Sequence, residues 1–215
     1  HHDARRQRQM CIRDRFNGIG LDVTDKEHLE KVMLDHDIVL NTTGPFFKFG
    51  LPILKSAIKC KCHYFDICDD WEPTEEMLKL NDEALKNDIT AIVGLGASPG
   101  ISNLLGLKAM NELDKTESII TGWDVSSAKP EDESSQKGTN AAMEHGLQQI
   151  SGEIKVYKDK KYKLTKPLEK IKIQYPGRGN HDAFIFGHPE AITFPHHFND
   201  LKESVNACHG SKQSN

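Results

Sequence analysis

Along residues 19–104, short apolar runs alternate with segments of helical period. Ile19–Val23 predicts a short strand, and Thr24-x-x-Glu27 has the spacing of a capping box that opens a helix through about Leu34. Asp37–Leu40 predicts a buried strand that ends in the loop Asn41–Phe47. A helix follows from about Leu51 to Lys59, with Pro52 tolerated in its first turn. His63–Ile67 predicts the next strand, followed by the acidic turn Asp69-Asp70. Thr74–Lys86 reads as one amphipathic helix and Thr90–Val93 as another buried strand. Gly94–Gly100 then leads into a helix, for which Ser98 is the expected N-cap and Pro99 the first residue. Strands and helices alternating through short links signal βαβ units and a parallel sheet.

The pattern changes after Leu113. Glu117–Val125 predicts a long strand, Ser126–Lys137 a polar loop and Thr139–Ile150 a helix. Glu153–Tyr157 and Lys161–Leu164 flank an Asp159-Lys160 turn, and Glu169–Gln174 and Asp182–Phe186 follow. Strands joined by short turns indicate antiparallel pairing. The expected organisation is therefore α/β over residues 16–114, a partial Rossmann-like parallel sheet. A second, α+β domain with a mainly antiparallel sheet follows over 115–200. Residues 201–215 read as a polar tail.

Composition narrows the function classes. The chain has 215 residues, 37% hydrophobic and 28% charged, with a net charge of -4. No apolar run approaches the length of a membrane span, and no secretory h-region follows the start. Five cysteines without a disulfide spacing point to a reducing, cytoplasmic setting. The mildly acidic balance supplies no field for nucleic acid. Five of the six arginines lie in the first fifteen residues, which hold only two aspartates. Such an arm suits a nucleic-acid or membrane contact, but Met10–Arg15 and the His1-His2 start read better as foreign sequence, and residues 1–15 are set apart on that basis.

The candidate chemistry lies in loops. Ligands of open parallel sheets bind beyond the carboxyl ends of the strands, and three unusual loops fall there: Asn41–Phe47, Asp66–Asp70 and Gly94–Gly100. Together they predict a ligand crevice. Gly94-x-Gly96-x-x-x-Gly100 misses the dinucleotide fingerprint Gly-x-Gly-x-x-Gly by one residue, and three βα units precede it where the fingerprint stands on the first. The domain thus reads as dinucleotide-binding without its first strand and phosphate loop. Cys60-x-Cys62-His63 and Cys68 are better read as buried thiols than as a metal site. His188, His196 and His197 are read as surface or substrate-domain histidines. Trp71 and Trp123 are expected on one side of the cleft, with core packing their more ordinary role.

Three of these stretches, Asp37–Phe47, His63–Asp70 and Gly96–Leu104, resemble the saccharopine dehydrogenase-like family of NAD(P)-dependent oxidoreductases. Gln149–Gly152, Tyr175–Gly177 and Gly187–Glu190 read like segments of that family's substrate domain. The resemblance implies hydride transfer between NADP or NAD and a carbon bonded to nitrogen in a small, amino-acid-like substrate, in a cleft between two domains. For residues 115–200 it implies substrate binding or dimerisation. It implies cofactor contacts from Asn41, Thr42, Thr43, Gly44, Pro45 and Phe46 and from Ser98, Pro99 and Gly100. Asp66 and Asp70 are the candidate proton-transferring residues. No metal, nucleic-acid or membrane partner is expected, on the spacing, charge and hydropathy above, and a homodimer is left open. The family's glycine-rich phosphate loop belongs upstream, where the arginine-rich segment stands. These 215 residues alone are therefore expected to bind NAD(P) weakly and turn over little. A non-catalytic ligand-sensing or interaction protein derived from the fold is the alternative.

Overall fold

Asp25 opens the first helix. Its carboxylate accepts from the backbone N–H of His28 at 3.1 Å and caps α1 (Lys26–Met33). Thr24, expected in that role, instead donates its hydroxyl to Asp22 at 2.7 Å. The computed structural model describes residues 17–125, 146–177 and 179–210. The arginine-rich residues 1–15, the loop at 126–137 and the start of the helix expected from Thr139 lie outside them. The strand expected at Ile19–Val23 is irregular chain and turn, because no backbone ladder joins it to a neighbour.

The parallel sheet has the expected strands. β1 (Ile38–Asn41), β2 (His63–Asp66) and β3 (Ala91–Ile92) lie in that order, with Ile38 beside His63 and Tyr64 beside Ala91. However, β1 and β3, expected as buried strands, are exposed on one face. Helix α2 (Phe46–Cys60) joins β1 to β2 and stops on Lys61, whose φ of 58° is left-handed. The single helix expected at 74–86 is two, α3 (Trp71–Leu78) and α4 (Asn81–Lys86). Leu80 separates them, its N–H turned back on the carbonyl of Met77 at 3.0 Å. Leu29, Ile53, Leu54, Ile58 and Met77 pack against Tyr64 on one face of the sheet. On the other face, among the described residues, Ile38 is 56% and Leu40 63% exposed. Helix α5 (Ile101–Asn111), which follows β3, has no buried residue.

The second half is built around β9 (Glu203–His209). It runs parallel to β4 (Ser118–Asp124) along its whole length, and antiparallel to β5 (Ile154–Lys158) and β8 (Gly179–Phe186). β6 (Lys161–Thr165) and β7 (Lys170–Tyr175) complete the order β6-β5-β9-β8-β7. The Asp159-Lys160 turn of the β5–β6 hairpin is as expected, with both residues left-handed. The polar tail expected from residue 201 is corrected here, since Glu203–His209 is the central strand. Its polar residues Ser204 and Asn206 are buried as well, bonded to helix α6 (Glu190–His197). The sheet curls until β7 lies over β4, where a β-carbon on Gly122 would stand 2.2 Å from the Tyr175 hydroxyl.

Candidate functional site

Parallel register sets the carboxyl ends of the strands side by side, with Asn41 paired to Asp66. A chain of hydrogen bonds then ties the three loops together. Asn41 accepts from the N–H of Thr43 at 2.9 Å and donates to the Tyr64 hydroxyl at 3.0 Å. Tyr64 donates to Asp66 Oδ2 at 2.9 Å, while Asp66 Oδ1 accepts from the N–H groups of Cys68 at 3.0 Å and Gly94 at 2.7 Å. Burial pushes the Asp66 carboxyl up against these bonds, and burial also raises Tyr64. Asp70 is buried too and accepts from the N–H of Phe47 in the first turn of α2 at 3.1 Å. The structure thus places both candidate acids inside the loops they brace.

The expected cofactor residues divide by exposure. Thr42 is exposed, and Thr43, Gly44 and Pro45 are half-buried along the rim. Phe46 is 6% exposed and belongs to the core under α2. Pro99 is buried against Gly94. The Gly44–Pro45 and Ser98–Pro99 peptide bonds are both cis. Ser98 is not the cap of α5, which corrects the expectation: Gly100 holds that position, with its N–H donated to Asn103. Gly100 has a φ of 118°, and a β-carbon there would lie 2.2 Å from the carbonyl oxygen of Gly96.

The Gly94–Gly100 loop is closed on itself. Gly94 donates to Asp66 Oδ1, Leu95 to the Asp66 carbonyl, Gly96 to Pro99, Ile101 to Gly96 and Ser102 to Ala97. A phosphate cradle needs such N–H groups free, so this loop is a wall rather than a phosphate site.

That wall faces the second half across a cavity of about 520 Å³. Ile67, Asp69, Gly96, Ala97, Ser98 and Ser102 line one side, and Thr121, Gly122 and Trp123 the other. Trp123 meets His188 edge-on at 5.0 Å and Phe186 at 5.4 Å. Of the histidines read as surface or substrate-domain residues, His188 is fully buried in the second half, while His196 and His197 are exposed. Trp71 borders a different hollow, beneath Lys155 at 5.3 Å, so the two tryptophans do not share one cleft. Cys62 and Cys68 are buried thiols facing backbone carbonyls, at 3.0 Å from that of Met33 and 3.6 Å from that of Asp70.

Sequence reasoning missed Ser102, Thr121 and Glu190. The carboxylate of Glu190 accepts from the hydroxyls of both Ser98 and Ser102. The run Gly187-His-Pro-Glu190 was the one available signal, and nothing local marks its glutamate as buried.

Residues 2–92 match the saccharopine dehydrogenase NADP binding domain family. The match takes in the arginine-rich residues, which lie outside the described structure. The L-glutamate-forming, NADP(+) saccharopine dehydrogenase of Saccharomyces cerevisiae is 32% identical over 97 residues, 45% of this chain and 21% of that protein. Its Schizosaccharomyces pombe counterpart is 29% identical over 105 residues, 49% of this chain and 22% of that protein. The apo structure of the Saccharomyces cerevisiae enzyme covers 88% of this chain and 44% of its own, with a TM-score of 0.52 and 20% identity, and shares the fold. The match therefore spans about a fifth of the length of these saccharopine dehydrogenases. Among the described residues no helix is long and apolar enough to cross a membrane.

Proposed function

We propose that the cleft between the halves takes the nicotinamide end of NADP or NAD along Thr42–Pro45 and Ser98–Gly100. An amino-acid-like substrate would lie against Thr121 and Trp123. On this reading the chain forms part of an oxidoreductase that transfers hydride at a carbon–nitrogen bond. The observation that carries it is the bracing of three strand-end loops, through Asn41, Tyr64 and Asp66, onto one edge that faces β4 across the cavity. The rim offers the Thr42 and Thr43 hydroxyls, a donor set that fits a ribose or carboxamide. The pyrophosphate is served less well, since Gly-x-Gly-x-x-Gly occurs nowhere in the 215 residues and the amides of Gly94, Leu95, Gly96 and Gly100 are already used.

When bound, the dinucleotide supplies the hydride chemistry. The chain's own part is to orient the two reactants and shield them from water. Asp66 and Asp70 act in this scheme by holding the loops. Titrating the 215-residue chain with NADPH, read by nicotinamide fluorescence, tests the proposal. The expected dissociation constant is on the order of 100 µM or weaker, because the described residues hold no phosphate cradle, with amide protection confined to residues 41–46 and 96–100. Protection elsewhere, or none at millimolar NADPH, would overturn it.

A further inference from the structure

The carboxylate of Glu190 is fully buried and is shared among three segments. Oε1 accepts from the hydroxyls of Ser98 and of Ser102, the latter at 2.6 Å. Oε2 accepts from His188 Nδ1 and from the Asn206 amide at 3.0 Å. Asn206 is itself oriented, because its oxygen accepts from the N–H of Ala191 at 3.0 Å. A second bond crosses the junction nearby, from the Asn103 amide to the Thr193 hydroxyl at 2.9 Å.

A glutamate withdrawn from water is costly unless its oxygens are filled. Here four donors fill two oxygens. Two of them, Ser98 and Ser102, line the cleft on the α/β side. A third, His188, stands against Trp123, which lines the cleft on the other side. An apolar side chain of the same volume would join the halves without burying a charge, so what the carboxylate adds is direction: it aims two hydroxyls.

We propose that Glu190 is a positioning residue for the cleft: anchored by His188 and Asn206, it fixes Ser98 and Ser102 and so sets the Gly96–Ser102 turn against the Trp123 wall. That assignment to a cofactor cleft rests on the oxidoreductase reading above. Glutamine keeps the volume of Glu190 but offers one acceptor oxygen where the network needs two, and it turns an NH₂ toward donors.

Hydrogen–deuterium exchange on the 215-residue chain, wild type against Glu190→Gln, tests this, paired with NADPH titration. The expected result is that amides of Gly96–Asn103 exchange roughly tenfold faster while those of β2 and α2 keep their rates, because a local tether is lost and not the fold. NADPH binding weakens in step. Uniform acceleration across both halves would reduce Glu190 to general glue, and unchanged exchange at 96–103 would also overturn the proposal. If E190Q does not fold, the Ser98→Ala/Ser102→Ala double variant carries the same expectation while leaving His188 and Asn206 on the carboxylate. Should the wild type show no NADPH binding, the oxidoreductase reading falls, and the exchange pattern still decides the role of Glu190.

Discussion

Tyr64 donates its phenolic hydrogen to Asp66 across 2.9 Å, and neither side chain reaches solvent. The two residues stand two apart on one face of β2, so the pleat places them together under α2. The bond matters for the site because Asp66 also receives the first N–H of the third loop, that of Gly94. One side chain thereby sets the spacing between the β2 and β3 ends of the crevice.

Asp66→Ala should destabilise the chain by about 1–3 kcal/mol, the usual cost of stranding buried donors, here the N–H groups of Cys68 and Gly94 and the hydroxyl of Tyr64. Asp66→Asn should cost much less, because an amide oxygen can keep both backbone bonds and the amide nitrogen can donate to Tyr64. Urea unfolding of the two variants checks the ranking. Equal losses would mean that the charge, and not the bonding pattern, holds the loops.

Two buried carboxylates should bend the stability curve in opposite directions in acid. Burial works against the Glu190 charge, but the bonds from His188, Ser102 and Ser98 prevail and hold its pKa at about 2, below the ordinary 4.5. Its contribution is therefore present above 4.5 and lost as pH falls toward 2. Asp66 is raised above 3.8 by burial, so its contribution is full below 3.8 and shrinks as pH rises through its folded value. Relative to wild type, Glu190→Gln should lose its stability deficit on acidification between pH 4.5 and 2. Asp66→Asn should compare least favourably at the acid end and improve as pH rises. Unfolding midpoints across pH 2–7 separate the two signs; parallel curves for both variants would contradict them.

The local part of this architecture was legible in the chain. Asp37–Leu40, His63–Ile67 and Thr90–Val93 are apolar runs bounded by turn residues, and they became the three parallel strands. The Asp159-Lys160 turn was equally plain. What escaped was written in partners far along the chain. Ser98 followed by Pro99 has the look of a helix cap, yet its hydroxyl goes to Glu190, 92 residues away. Glu203–His209 reads as polar because only Val205 and Ala207 alternate with Ser204 and Asn206, which are buried against a polar network and not exposed to water. Phe46 read as a loop residue at the rim, and its burial follows from α2 starting there, five residues before the expected Leu51.

Gly122 should tolerate no side chain while Tyr175 keeps its hydroxyl. A β-carbon at residue 122 would meet that oxygen at 2.2 Å and Ile173 Cδ1 at 3.2 Å, and the Tyr175 hydroxyl is held by His209 at 3.0 Å. Gly122→Ala should therefore cost about 1–3 kcal/mol by overpacking. Adding Tyr175→Phe should recover part of that, since the nearest atoms left are Ile173 Cδ1 at 3.2 Å and the ring carbon at 3.3 Å. The double-mutant cycle measures the coupling directly. Simple additivity would show that β7 moves away from β4 at little cost.

The exposed apolar face of the parallel sheet makes a last prediction. Parallel sheets are ordinarily covered on both sides, but α1 to α4 cover only the face of Tyr64. Leu40 on the opposite face is 63% exposed, and Leu104 and Leu105 of α5 are 66% and 63% exposed. Apolar surface of this kind draws chains together in water. Leu40→Lys combined with Leu104→Glu should lower light scattering and dye binding to apolar surface at a given concentration. The melting midpoint should stay nearly unchanged, because exposed positions carry only about 0.5 kcal/mol each. A large drop in melting temperature would instead show that these leucines are buried in the folded chain.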